Sequence, residues 1–212
     1  DKTDTVPSNW IALEYDAELS YTERVASCLK QIPEEYCIFH HEDMPLYDNP
    51  DFVAINTMIA MMKSSFYNTP PAPGIDYVKL VKGGEFIDVQ PVAKVPLINN
   101  MFYIVQDQYF QYANQPTIWD IDMLKIIYEE SEVEHISEFE YLATEICRQN
   151  DIQGAYYYAG EPKRGTFHWD SKIYPYIATA IVKGKWNISE YPDKLSNLLQ
   201  EYKIDKDVRG AV

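Results

Sequence analysis

The sequence predicts an α/β layered domain, and three observations carry the expectation. Helix-start signals recur along the chain, short apolar runs of strand length stand between them, and the two patterns alternate instead of segregating. No internal repeat and no Ser/Gly-rich linker interrupts the 212 residues, so residues 1–212 read as one domain, long enough to bury a substantial core.

The elements follow in order. Ser20-Tyr-Thr-Glu23 has the form of a capping box, with Val25, Cys28, Leu29 and Ile32 at helical spacing behind it and Pro33 as a stop. Tyr36–Phe39 is an apolar run of strand length that breaks off at His40-His41-Glu42-Asp43. Asn49-Pro50-Asp51 predicts a helix start, with Asn49 as cap and Pro50 at the first position, and Met58, Met61 and Met62 are expected to fill a helix–sheet interface. Pro70–Gly74 reads as a bend, Tyr77–Val81 as a strand and Gly83-Gly84 as a turn. Ile118–Tyr128 is periodic enough for a helix, and Ser137-Glu-Phe-Glu140 predicts a second capping box opening a helix to about Gln149. Ala155–Tyr158 and Ile177–Val182 read as strands, and Ser189 as the cap of a last helix to about Tyr202.

Composition removes several function classes. Hydrophobic residues make up 46% and aromatics 14%, which excludes a disordered acidic tail. The net charge is −15 and the pI about 4.6, a field that repels phosphate backbones and anionic lipid, so no nucleic-acid partner is expected. An anionic substrate would need a metal ion or a locally basic pocket. No apolar run approaches the ~18 residues of a membrane span, and the first ten residues lack the pattern of a secretion signal. Cys28, Cys37 and Cys147 are odd in number and lack C-x-x-C spacing, which points to reduced thiols in a cytoplasmic protein.

The chemistry concentrates where the first strand ends. In open α/β sheets ligands bind beyond the carboxyl ends of strands, and Glu42-Asp43 would stand there. Two adjacent carboxylates repel unless a cation or proton compensates, and a hard divalent ion shared with substrate phosphates is one answer. The other is that both acids simply solvate a loop. His40 and His41 are neighbours, so on a strand they face opposite sides and make a poor zinc pair.

These segments resemble a known group. Tyr21-Thr-Glu-Arg24 through Leu29, and then Tyr36 through Leu46 with its Glu42-Asp43, are similar to bacterial and viral glycosyltransferase-like proteins of the nucleotide-diphospho-sugar transferase (GT-A) fold. Gln115-Pro-Thr-Ile-Trp119 with Leu124 resembles that group's QP-x-IW…L segment, and Ser137-Glu-Phe-Glu140 its WEFE segment. The resemblance implies a GT-A-like layered sheet with flanking helices. The first strand and helix of such a fold would precede residue 10, so the expectation is a truncated or divergent member.

The implied activity is metal-dependent transfer of a sugar from a nucleotide-sugar donor to a hydroxyl of a saccharide acceptor. In that reading Asp43 coordinates Mn²⁺ or Mg²⁺ bridging the donor phosphates, Glu42 assists or meets the ribose, and Arg24 pairs with the diphosphate. Trp119 would stack on a sugar, and Glu138 would deprotonate the acceptor hydroxyl. Each has a plainer alternative: a surface ion pair for Arg24, a core ring for Trp119, a favourable charge at a helix start for Glu138. The acidic pair is Glu-Asp without a spaced second Asp, and Ser137 stands where the resembling segment has Trp. The incomplete acidic motif and the missing first strand favour one rival, a catalytically inactive carbohydrate- or partner-binding relative. The second rival is a metal-dependent hydrolase using His40 or His41.

Overall fold

The computed structural model of the protein describes residues 9–41, 43–64, 74–83, 94–95, 98–104, 111–131, 133, 136–164 and 168–212. In chain order these hold α1 (Tyr21–Leu29), β1 (Tyr36–Phe39), α2 (Phe52–Met62), β2 (Tyr77–Lys79), β3 (Met101–Tyr103), β4 (Thr117–Asp120) and α3 (Ile121–Glu130). They continue with α4 (Ile136–Gln149), β5 (Gly154–Tyr157), β6 (Lys163–Arg164), β7 (His168–Trp169), β8 (Ile181–Val182), β9 (Lys185–Trp186) and α5 (Pro192–Glu201). The protein is mixed α/β, on a mixed five-stranded sheet of order β1-β4-β2-β5-β3. β4 runs antiparallel to both β1 and β2, β5 runs parallel to β2, and β3 is antiparallel to β5. The carboxyl ends of β1, β2 and β5 therefore share one edge of the sheet.

Side-chain alternation along the strands divides the core in two. Ile38, Ile118, Val78 and Ala155 form one cross-strand row and pack with α2 and α5. Cys37, Trp119, Tyr77 and Gly154 form the next row and pack with α1, α3 and α4. Gly154 is glycine for space: a Cβ there would lie 2.1 Å from Cζ of the Tyr77 ring. Met58, Met61 and Met62 are buried in the helix–sheet interface as expected.

Several boundaries differ from the sequence reading, each for a local reason. The Ser20–Glu23 capping box forms in both directions. The second helix is capped by Asp51, not Asn49; its carboxylate accepts from the Val53 and Ala54 amides, both at 3.0 Å. Ile118–Tyr128 splits. Its first residues belong to β4, flanked by β1 and β2, and Asp120 then caps α3 by accepting from the Asp122 and Met123 amides. The sheet's demand for a central strand overrides the helical period there. α4 begins at Ile136, ahead of the expected Ser137 cap, and the Glu140 carboxylate accepts from the Asn114 amide at 2.6 Å. Pro192 occupies the first turn of α5 and Tyr191 the cap, without a side-chain hydrogen bond, so Ser189 does not cap it. Of Ile177–Val182 only Ile181–Val182 is strand, paired with β9 through a turn in which Lys183 and Gly184 take positive φ. Gly84 and residues 70–73 lie outside the described residues.

Lys79 breaks the apolar alternation. It is 1% exposed, shares the face of Tyr77, and burial pulls its ammonium down to about 8, with Glu140 opposing. Between pH 8 and its ordinary 10.5 the unfolded chain holds more protons on Lys79 than the folded one, so folding stability rises with pH across that window. The expected rise is about 3 kcal/mol relative to Lys79→Met, read from urea unfolding of both proteins at pH 7.5 and 10.5. Parallel pH profiles for the two proteins would contradict it. Among the described residues no helix is long and apolar enough to cross a membrane.

Candidate functional site

The carboxyl edge of the sheet meets two different surroundings. Beyond β2 and β5 it is covered by the β6–β7 hairpin and the segment after it. Gly83 bridges His168, the Ser171 hydroxyl donates to the Leu80 carbonyl at 2.7 Å, and the Lys82 ammonium lies 4.6 Å from the Tyr158 ring centre and 4.8 Å from that of Trp169. Gly83 is also pressed by Gln115, whose Nε2 would stand 2.1 Å from a Cβ. Beyond β1, beside the loop that follows it, lies a groove of about 850 Å³. That volume suits a drug-sized or larger ligand.

Asp43 borders this groove, and the backbone fixes it there. Residues 43–51 run beside 173–180 in a ladder: the Ala180 amide donates to Asp43 O at 2.8 Å, Ile177 to Pro45 O at 2.9 Å, Tyr47 to Pro175 O at 3.0 Å and Asp51 to Ile173 O at 2.9 Å. His40 and His41 border the groove with Asp43. His40 keeps exposed surface as a residue, yet its ring meets Tyr174 edge-on. Desolvation there holds His40 below its ordinary value, neighbouring His41 adds to this, and Asp43 opposes it. His41 stands edge-on to Phe39, and its Nε2 is covered without a hydrogen-bond partner.

The remaining lining is apolar. Met44 and Leu46 come from the loop after β1, Ile181 and Trp186 from the β8–β9 hairpin, and Leu195, Leu198 and Leu199 from α5. Tyr202, Ile204 and Trp10 complete the rim.

Of the site residues that the resemblance implies, the described residues bring Asp43 to this groove, beside His40 and His41, the histidines of the hydrolase alternative. Glu42 lies outside the described residues. Arg24 is on α1, packed on the other face of the sheet, where its Nε donates to Ser20 O at 3.3 Å and its guanidinium lies 5.9 Å from the Tyr15 ring centre. Glu138 is exposed in the first turn of α4, also on that face, and is absent from the groove lining. Trp119 is a core ring. It is 2% exposed, stacks on Tyr77 at 4.3 Å between ring centres and lies parallel to Tyr112 at 5.7 Å, so no face is open to a sugar. The apolar half of the groove escaped sequence reasoning, because its residues come from the loop after β1, the β8–β9 hairpin and α5, segments far apart in the chain.

Among the described residues no group of three or more His, Cys, Asp or Glu side chains could cage a metal ion. A carboxylate at the mouth of a cleft fits the other mode of Mn²⁺ or Mg²⁺ binding, in which one or two protein carboxylates share the ion with substrate phosphates. Compared with protein-family models, curated proteins and solved structures, the chain matches none.

Proposed function

We propose that the chain is a GT-A-like, metal-dependent glycosyltransferase that moves a sugar from a nucleotide-sugar donor to a saccharide hydroxyl. The observation that carries the reading is Asp43, held through its carbonyl by the Ala180 amide after β1 and bordering a groove of about 850 Å³. The ordered resemblance of residues 20–145 to glycosyltransferase-like segments supports it. Asp43, with Glu42, would hold Mn²⁺ or Mg²⁺. The ion supplies charge neutralisation on the departing diphosphate, which a chain of net charge −15 otherwise lacks.

The chain's own groups would do the rest. The groove would orient the acceptor beside Asp43, and His40, which lines the same groove where Glu138 does not, would take the acceptor's hydroxyl proton. Calorimetry of UDP- and GDP-sugars with and without Mn²⁺ tests the reading. The expected result is an affinity that rises at least tenfold with the metal; equal affinity in both buffers turns the reading toward the inactive binding relative.

A further inference from the structure

We propose that the groove beside Asp43 takes the apolar aglycone of an acceptor glycoconjugate, leaving the sugar hydroxyls at the Asp43 end. The inference rests on Asp43 marking the transfer site, and it adds the substrate class. The lining joins His40, His41 and Asp43, which follow β1, to a majority of aliphatic and aromatic side chains from the loop, the β8–β9 hairpin and α5. A free oligosaccharide is hydroxylated throughout and would leave its hydroxyls unpaired against Leu195, Leu198 and Leu199.

Charge selects against the other large ligand in the reaction. Among the described lining residues there is one carboxylate and no lysine or arginine, so a nucleoside diphosphate finds no counter-charge inside the groove. A neutral head on a hydrocarbon tail meets both halves. The rim adds apolar surface left in water: Trp10 and Tyr202 are each 69% exposed. A tail longer than the groove would cover them.

The test uses the full chain without donor or metal. Methyl, butyl, hexyl and octyl β-glucosides, all below micelle-forming concentration, and octanol are titrated by calorimetry. Affinity is expected to climb with chain length by up to about fourfold per methylene, and octyl glucoside is expected to bind tighter than octanol. Leu198→Asp, on the groove face of α5, should flatten the series, whereas Ser196→Asp, exposed on the same helix, should preserve it. Ile204→Asp on the rim carries the same expectation as Leu198→Asp should the latter lose its helical circular dichroism. A flat series, octanol binding as tightly as octyl glucoside, or displacement of octyl glucoside by UDP with Mn²⁺ each overturns the inference. Because no donor is present, a failure here leaves the transfer reading standing, and a failure of metal-dependent donor binding leaves the chain-length series intact.

Discussion

Asp43→Asn is expected to lower metal-dependent sugar transfer by more than about a hundredfold while leaving the fold unchanged, the order of loss seen when one group that stabilises developing charge is removed. The fold should survive because Asp43 is anchored through its backbone: the Ala180 amide bonds the Asp43 carbonyl, which asparagine retains. Its neighbour Met44 keeps the loop seated in the core at 7% exposure. Donor turnover with Mn²⁺, beside a thermal melt, measures both halves. Unchanged turnover in a folded variant removes Asp43 from the mechanism, and lost turnover with a lowered melting temperature assigns it a structural role.

Trp119→Ala is expected to cost about 3–5 kcal/mol of folding stability, the range for deleting a buried aromatic side chain. Trp119 sits in the central row between Cys37 and Tyr77 and stacks on Tyr77, so its loss opens a cavity in the middle strand of the β1-β4-β2 unit. The sequence reading also offered this ring as a sugar platform, and the two roles separate cleanly. A core ring lowers the urea midpoint. A platform lowers sugar affinity at constant stability, and that second pattern would contradict the packing described above.

The legible parts of the fold were those written in local chemistry. Ser20 and Glu23 satisfy each other's backbone donors within four residues, and Tyr36–Phe39 is an apolar run bounded by charge, so both are readable from their immediate neighbours. Errors came where two local signals competed. Asn49 and Asp51 both suit a cap, and only Asp51 is placed to reach the Val53 and Ala54 amides. Ile118 and Leu124 share a helical period, yet Thr117–Asp120 is held as a strand by partners 36–39 on one side and 77–79 on the other.

The candidate site was legible only in its acidic half. Asp43 stood out because an apolar run ended beside it. Leu195, Leu198 and Leu199 read simply as the apolar stripe of a helix, and nothing local says that α5 lies across from His40. That proximity depends on hydrogen bonds between segments more than 120 residues apart, as in Tyr47 to Pro175. Arg24 and Glu138 were named through the resemblance and their helix positions, and the sheet itself separates both helices from the groove.

The most direct test of the central claim is Mn²⁺ binding followed by water-proton relaxation, on the wild-type chain and on Asp43→Asn, in the presence of UDP. The account predicts that UDP tightens Mn²⁺ binding to the wild type and that Asp43→Asn removes this coupling. Equal Mn²⁺ affinity in the two proteins, with UDP present, would contradict it.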